Sequence, residues 1–266
     1  MLTKTGAVFL VIAILALAGV GAIGVRDLSN RVVVKHAPAA AKVVTAPTAT
    51  ATPTADPSPT PTPAPPQSVL IQTVPFTVQA PNGVWAGHED YCEAAATYMV
   101  GQYFAGDHRA NIPPAEADAA MGRIVAWERQ NFPGQLNLSL ADMIQVGAQF
   151  YGLKGQIVPA SFQTIEQETA AGLPVIIPVM THGGPGNTPI FADYGADNVY
   201  HVIVVVGYNA PQHLVVTNDA GVSQGLQLAY QWSVLQTANL AQTQLTVDGS
   251  GSAVPQQGAV MLVFSR

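Results

Sequence analysis

Between Ala37 and Gln67 the chain is almost entirely Ala, Pro, Thr and Ser, closing on PSPTPTPAPPQ. A segment of that composition cannot bury a core and tends to polyproline geometry at about 3 Å per residue. Residues 27–67 therefore read as a disordered stalk, and they divide the 266 residues into parts with different fates. Ahead of the stalk, an uninterrupted apolar run from Gly6 to Val25 follows Lys4. As a helix it would span about 30 Å, the thickness of a bilayer's hydrocarbon core. Residues 1–26 read as a signal anchor, with a cleaved signal peptide as the alternative, since Ala18, Gly19, Gly21 and Ala22 supply small residues. Counted strictly, Arg26, Arg31 and Lys35 after the run outweigh Lys4 before it and favour a cytoplasmic domain. The stalk favours the opposite, a domain tethered outside the cell, or secreted if the signal is cut.

Residues 68–266 are left to form one domain of ordinary size. They hold five basic residues and 14 acidic ones, a formal charge of −9, which argues against nucleic acid or anionic lipid as a partner of this domain. There is a single cysteine, Cys92, so no internal disulfide can form. In an exported chain such a thiol pairs with another molecule, lies inert in a core, or serves as a nucleophile. Its position favours the last: Cys92 follows a loop and opens the helix-forming run CEAAATYM, where the positive end of the helix would lower a thiol's pKa.

Helical patterns come first. One helix is expected from an Asp90 cap through Cys92 to about Phe104, stopped at Gly106. Others start at Pro114, at Ser139 with Asp142 as a capping-box partner, and at Ser161. β-Branched runs follow: Leu173 to Met180, His201 to Tyr208, His213 to Asp219, Leu226 to Trp232 and Ala259 to Phe264. Helices first and a mostly antiparallel sheet afterwards define an α+β domain. The link between Thr181 and Tyr200 is long for such a fold and reads as functional.

A thiol nucleophile needs a base, and the base needs an orienting partner. His201 opens the most apolar strand in the chain, where a polar side chain calls for a reason. A hairpin into the next strand would bring Asp219 beside it and leave Asn218 on the opposite face. His88, Glu89, Asp90 and Cys92 lie too close in sequence to converge on one ion, and no metal or cofactor is expected. His182, Asp193 and Asp197 read as a polar loop that could line a cleft or bind calcium.

In order and spacing, FTVQAPNGVW…CEAAATYM, AAGLPVIIPV and HVIVVVGYN…VVTNDAG resemble the papain-type cysteine peptidases of family 39. That family comprises double-glycine leader peptidases and stand-alone extracellular relatives. The resemblance implies a papain-like fold, a peptide or protein substrate and a triad that falls on Cys92, His201 and Asp219. It also implies an oxyanion-hole glutamine, which falls on Gln79. Glu93 stands where many relatives have glycine, although stand-alone members often show this Cys-Glu pair, and Ala220 stands where proline commonly follows the aspartate. No G-x-x-x-x-G-K-[ST] motif is present, so the chain is not a leader-processing exporter by itself. Three other readings remain: a papain-like module that binds peptides or wall fragments without cleaving them, a thiol acyltransferase or amidase on the same fold, and a stalked domain cross-linked through Cys92.

Overall fold

The computed structural model describes residues 65–184, 188–189 and 198–266. The apolar run Gly6–Val25 and nearly all of the stalk lie outside them, as do Asp193 and Asp197. Among the described residues, no helix is long and apolar enough to cross a membrane.

Three helices come first: α1 (Cys92–Ala105), α2 (Pro114–Asn131) and α3 (Leu140–Tyr151). The start of α1 differs from expectation. Its N-cap is Tyr91, with no side-chain cap, so Asp90 does not play that part. Its end agrees, because Gly106 takes the left-handed conformation (φ 87°) that closes the helix. Ser139 and Asp142 form the expected capping box on α3.

The sheet has seven strands, all paired antiparallel. β2 (Lys154–Pro159), β9 (Val260–Ser265), β3 (Val175–Met180), β6 (Tyr200–Asn209), β7 (Leu214–Asn218) and β8 (Leu228–Gln231) follow one another across it. β1 (Ser68–Leu70) pairs with the far end of β6. A separate two-stranded ribbon joins β4 (His182–Gly184) and β5 (Thr188–Pro189). Between β3 and β2 in space lies β9, so the last strand of the chain is inserted into the sheet rather than added at its edge.

Helices cover both faces. α1, α2 and α3 pack with Val202, Val204 and Val206 of β6, while α4 (Phe162–Ala170) and α5 (Trp232–Gln242) pack with Ile203 and Val205. This is why β6 reads as an unbroken apolar run rather than an alternating one. The first face is crowded. A side chain at Gly101 would run into the Tyr151 ring, and one at Gly147 into Phe264. In α1 every residue from Cys92 to Gly101 is buried, so this helix has no solvent face along its first turns. The central helix and the central strand therefore lie against each other, and both carry expected site residues at their starts.

Candidate active site

β6 and β7 pair only as far as Val204 and Asn218. Beyond that point β7 has ended, and the first residues of β6 have no neighbour strand on that side. On the other side Val202 lies opposite Pro178 of β3. Proline has no N–H to exchange, so the Val202 N–H is directed away from β3, toward the gap that β7 leaves. The Cys92 sulfur accepts a hydrogen bond from this N–H. The start of α1 thus docks into the sheet where β7 peels away from β6.

His201 and Asp219 border the same gap. Continuing the register, Asp219 falls level with Ile203, so it reaches His201 on the diagonal rather than straight across. His201 Nε2 donates to Asp219 Oδ1 at 2.9 Å, and both residues are buried. Two further donors converge on this carboxylate: the Gly221 N–H at 3.0 Å and the Tyr230 hydroxyl at 2.9 Å. The pattern is that of an acceptor-only carboxylate. Asn218 is occupied elsewhere, donating to the Val74 carbonyl and accepting from the Gln227 N–H.

Glu93 was not among the expected site residues. The Cys92 thiol donates to Glu93 Oε2 at 2.9 Å, and Glu93 Oε1 accepts from the Leu138 N–H at 2.9 Å. Glu93 is 1 % exposed, and burial pushes its carboxyl up to about 7. Burial, then the Glu93 charge and hydrogen bond, pushes the Cys92 thiol well above the ordinary range. The low-pKa thiol expected from a helix start is therefore not what this geometry holds. Cys92 is 3 % exposed, and desolvation with a carboxylate in contact outweighs both the helix terminus and the Val202 N–H. The signal in the sequence was an acidic residue inside an otherwise apolar helical run.

Gln79 reaches the site, but its amide is committed. Nε2 donates to the carbonyls of His88 at 3.0 Å and Glu89 at 2.9 Å, which uses both of its N–H groups. Turning the amide over would set its oxygen against those same carbonyls. The Gln79 backbone N–H donates to Ala220, so this residue joins the loop before Cys92 to the chain just after Asp219. That loop is also pinned to α2, through Asn82 and His88 to Asp118 at 3.0 and 2.8 Å. His88 and Asp90 form no metal cluster with Cys92; among the described residues, no group of three His, Cys, Asp or Glu could hold a metal ion.

Opposite that loop, the segment between α2 and α3 meets the segment before β9. Asn137 donates to Asp248 and to the Ala253 carbonyl, and the Tyr200 hydroxyl donates to the Leu138 carbonyl. A cleft of about 350 Å³ opens between them, lined by Leu136, Asn137, Ser139, Val254 and Pro255.

An α+β domain with an antiparallel sheet, its one thiol at the start of a central helix and a buried His–Asp pair at the adjoining strand ends, is the class that the structure defines. The model of the Peptidase_C39-like family matches residues 71–241, and the chain belongs to that family. A crystal structure of a candidate C39-like peptidase from Bacillus anthracis is similar at a TM-score of 0.45 and 14 % identity, over 75 % of this chain and 98 % of that one. No curated protein matches the chain.

Proposed function

We propose that the protein is a cysteine peptidase that hydrolyses peptide bonds through Cys92, His201 and Asp219. The observation that carries this reading is the buried His201–Asp219 hydrogen bond, 2.9 Å long, beside the gap in which the sulfur sits. With Nε2 committed to Asp219, Nδ1 is the ring nitrogen that exchanges a proton with the thiol. The proton passes from Sγ to Nδ1, sulfur adds to the scissile carbonyl, and the imidazolium returns the proton to the leaving amine as the C–N bond breaks. Water, deprotonated by the same nitrogen, then cleaves the thioester and frees the thiol.

The oxyanion would be met by the Cys92 backbone N–H, since first-turn N–H groups have no intrahelical acceptor. Gln79 joins it by releasing one of its two loop carbonyls. The cleft beside Leu138 supplies a place for the substrate chain. Pro65–Leu70 meets the domain at the far end of β6, where the Gln67 carbonyl accepts from Ala210, just past Asn209, which lies eight residues and about 26 Å along the strand from His201. A stalk joined there would present the site away from its own attachment. Export and tethering through Gly6–Val25 belong to the same proposal and rest on the sequence.

The test is hydrolysis of a peptide library under reducing conditions. Turnover should vanish in Cys92→Ala and in His201→Ala, with folding retained by circular dichroism. Turnover that survives in Cys92→Ala would remove the nucleophile. Tight peptide binding with no turnover in the wild type would make the domain a binding module.

A further inference from the structure

The Cys92 sulfur has two hydrogen-bond partners of opposite character. The Val202 N–H donates to it, which favours a thiolate, while Glu93 accepts its proton, which favours a thiol. The Glu93 carboxyl cannot swing aside freely. It is 1 % exposed, and its second oxygen is held by the Leu138 N–H at 2.9 Å. The Leu138 carbonyl is fixed in turn by the Tyr200 hydroxyl, which accepts from Gln257, whose other amide atom holds the Leu140 N–H. A buried carboxyl anchored this way keeps one oxygen on the nucleophile whichever way its own proton lies.

We propose that Glu93 is a further catalytic residue of this site, a switch on the nucleophile: as a carboxylate it holds Cys92 in the inert thiol form, and as a carboxylic acid it donates to the sulfur and stabilises the thiolate. This rests on the reading of Cys92 as nucleophile. The balance is simple. Glu93 takes up one solvent proton on Oε2, the Cys92 proton passes to His201 Nδ1, and the new O–H turns to the sulfur. The resulting thiolate then has two donors, Glu93 and the Val202 N–H, beside the imidazolium.

The sign follows from the charges around Glu93. From its own helix it meets Cys92; from α2, Glu128; from β6, His201 and Tyr200; and from the loop, the Leu138 N–H. Burial first, and then the Glu93 charge, pushes the Glu128 carboxyl toward its neutral form, so α2 brings Glu93 no compensating positive charge. Burial moves Glu93 to about 7, which places the switch between mildly acidic and mildly alkaline solution. The nucleophile is released on the acidic side and restrained on the alkaline side, the reverse of an isolated thiol.

The experiment follows iodoacetamide alkylation of Cys92 in the folded full-length protein from pH 5.5 to 8.5, for the wild type and Glu93→Gln. Glutamine keeps an acceptor for Leu138 and a permanent donor for the sulfur. Near pH 5.5 the two proteins should react at similar rates. At pH 8.5 the glutamine variant should be at least tenfold faster, with the ratio opening through about 7. A ratio that stays flat, or a variant slower at every pH, overturns the switch. If the variant does not fold, the wild-type profile decides. A rate that stays level or falls as pH rises from 6 to 8 supports the switch, and a rate that climbs with pH, as for an isolated thiol, overturns it. The peptidase reading fails separately: it falls if Cys92→Ala still hydrolyses peptide, whereas a flat ratio with Cys92-dependent turnover removes Glu93 alone.

Discussion

Asp219 receives His201, Gly221 and Tyr230, and these donors are not equivalent for the chemistry. Its negative charge is what would favour imidazolium on His201, so Asp219→Asn should keep the shape and lose the field. We expect low but measurable peptide turnover, roughly a thousandfold down, in steady-state assays. Tyr230→Phe removes one neutral donor from a carboxylate that keeps two others. A single hydrogen bond to a charged group is worth about 1.5–3 kcal/mol, so kcat should fall by roughly ten- to a hundredfold with KM little changed. Equal losses in the two variants would mean that Asp219 acts by position alone. Tyr230 could not be read as a site residue from the sequence. It lies two strands from His201 in space, and only the β6–β7–β8 order brings its hydroxyl to the carboxylate.

At the scale of elements, most of the pattern was legible. The four helices expected from caps and periodicity are present, and so are the five β-branched strands, because each is specified by its own residues. Among the described residues β1, β2, β4, β5 and α5 were missed, and for β2 and α5 the physical reason is plain. β2, with sequence KGQIVP, is an edge strand exposed over much of its length, so its residues carry little apolar signal. α5 begins at Trp232, directly where β8 stops, and its polar TANLAQ segment becomes helical by packing Leu235 and Ala238 on the sheet. The junction of β1 with β6 offers a test. On its other side β6 shifts register against β7 between Val205 and Gly207, and a side chain at Gly207 would collide with the Val69 carbonyl of β1. Gly207→Ala should destabilise the domain by about 1–3 kcal/mol, seen as a lower urea midpoint. An unchanged midpoint would show that β1 is loosely held.

At the scale of the whole molecule, two buried carboxyls among the described residues prefer to be neutral. Burial raises Glu93 to about 7 and Glu128 to about 8 from ordinary values of 4.5. A carboxyl whose folded pKa is raised binds its proton more tightly in the folded state. The stability it contributes is complete below about 4.5 and is lost as pH rises through 7 and 8. Asp107, Glu116 and Asp248 have lowered pKa values and act the other way, but only in more acidic solution. Between about pH 5 and 8.5 the raised groups decide. Thermal unfolding should therefore show a lower Tm at pH 8.5 than at pH 5.5, by several degrees, and Glu128→Gln should reduce that difference. A Tm that rises across this range would contradict the burial of both groups.

Local chemistry in the sequence determined the class of the domain and the identity of its thiol, histidine and aspartate, since caps, apolar periods and a single cysteine are properties of short segments. Tertiary structure decided how those residues meet. Pro178 turns the Val202 N–H toward the end of α1, β7 stops early enough to leave a gap for the sulfur, and Asp219 reaches His201 on the diagonal. It also decided the state of the thiol. A helix start alone favours a thiolate, but burial beside Glu93 reverses that, because desolvation and a charge in contact outweigh the field of a helix end.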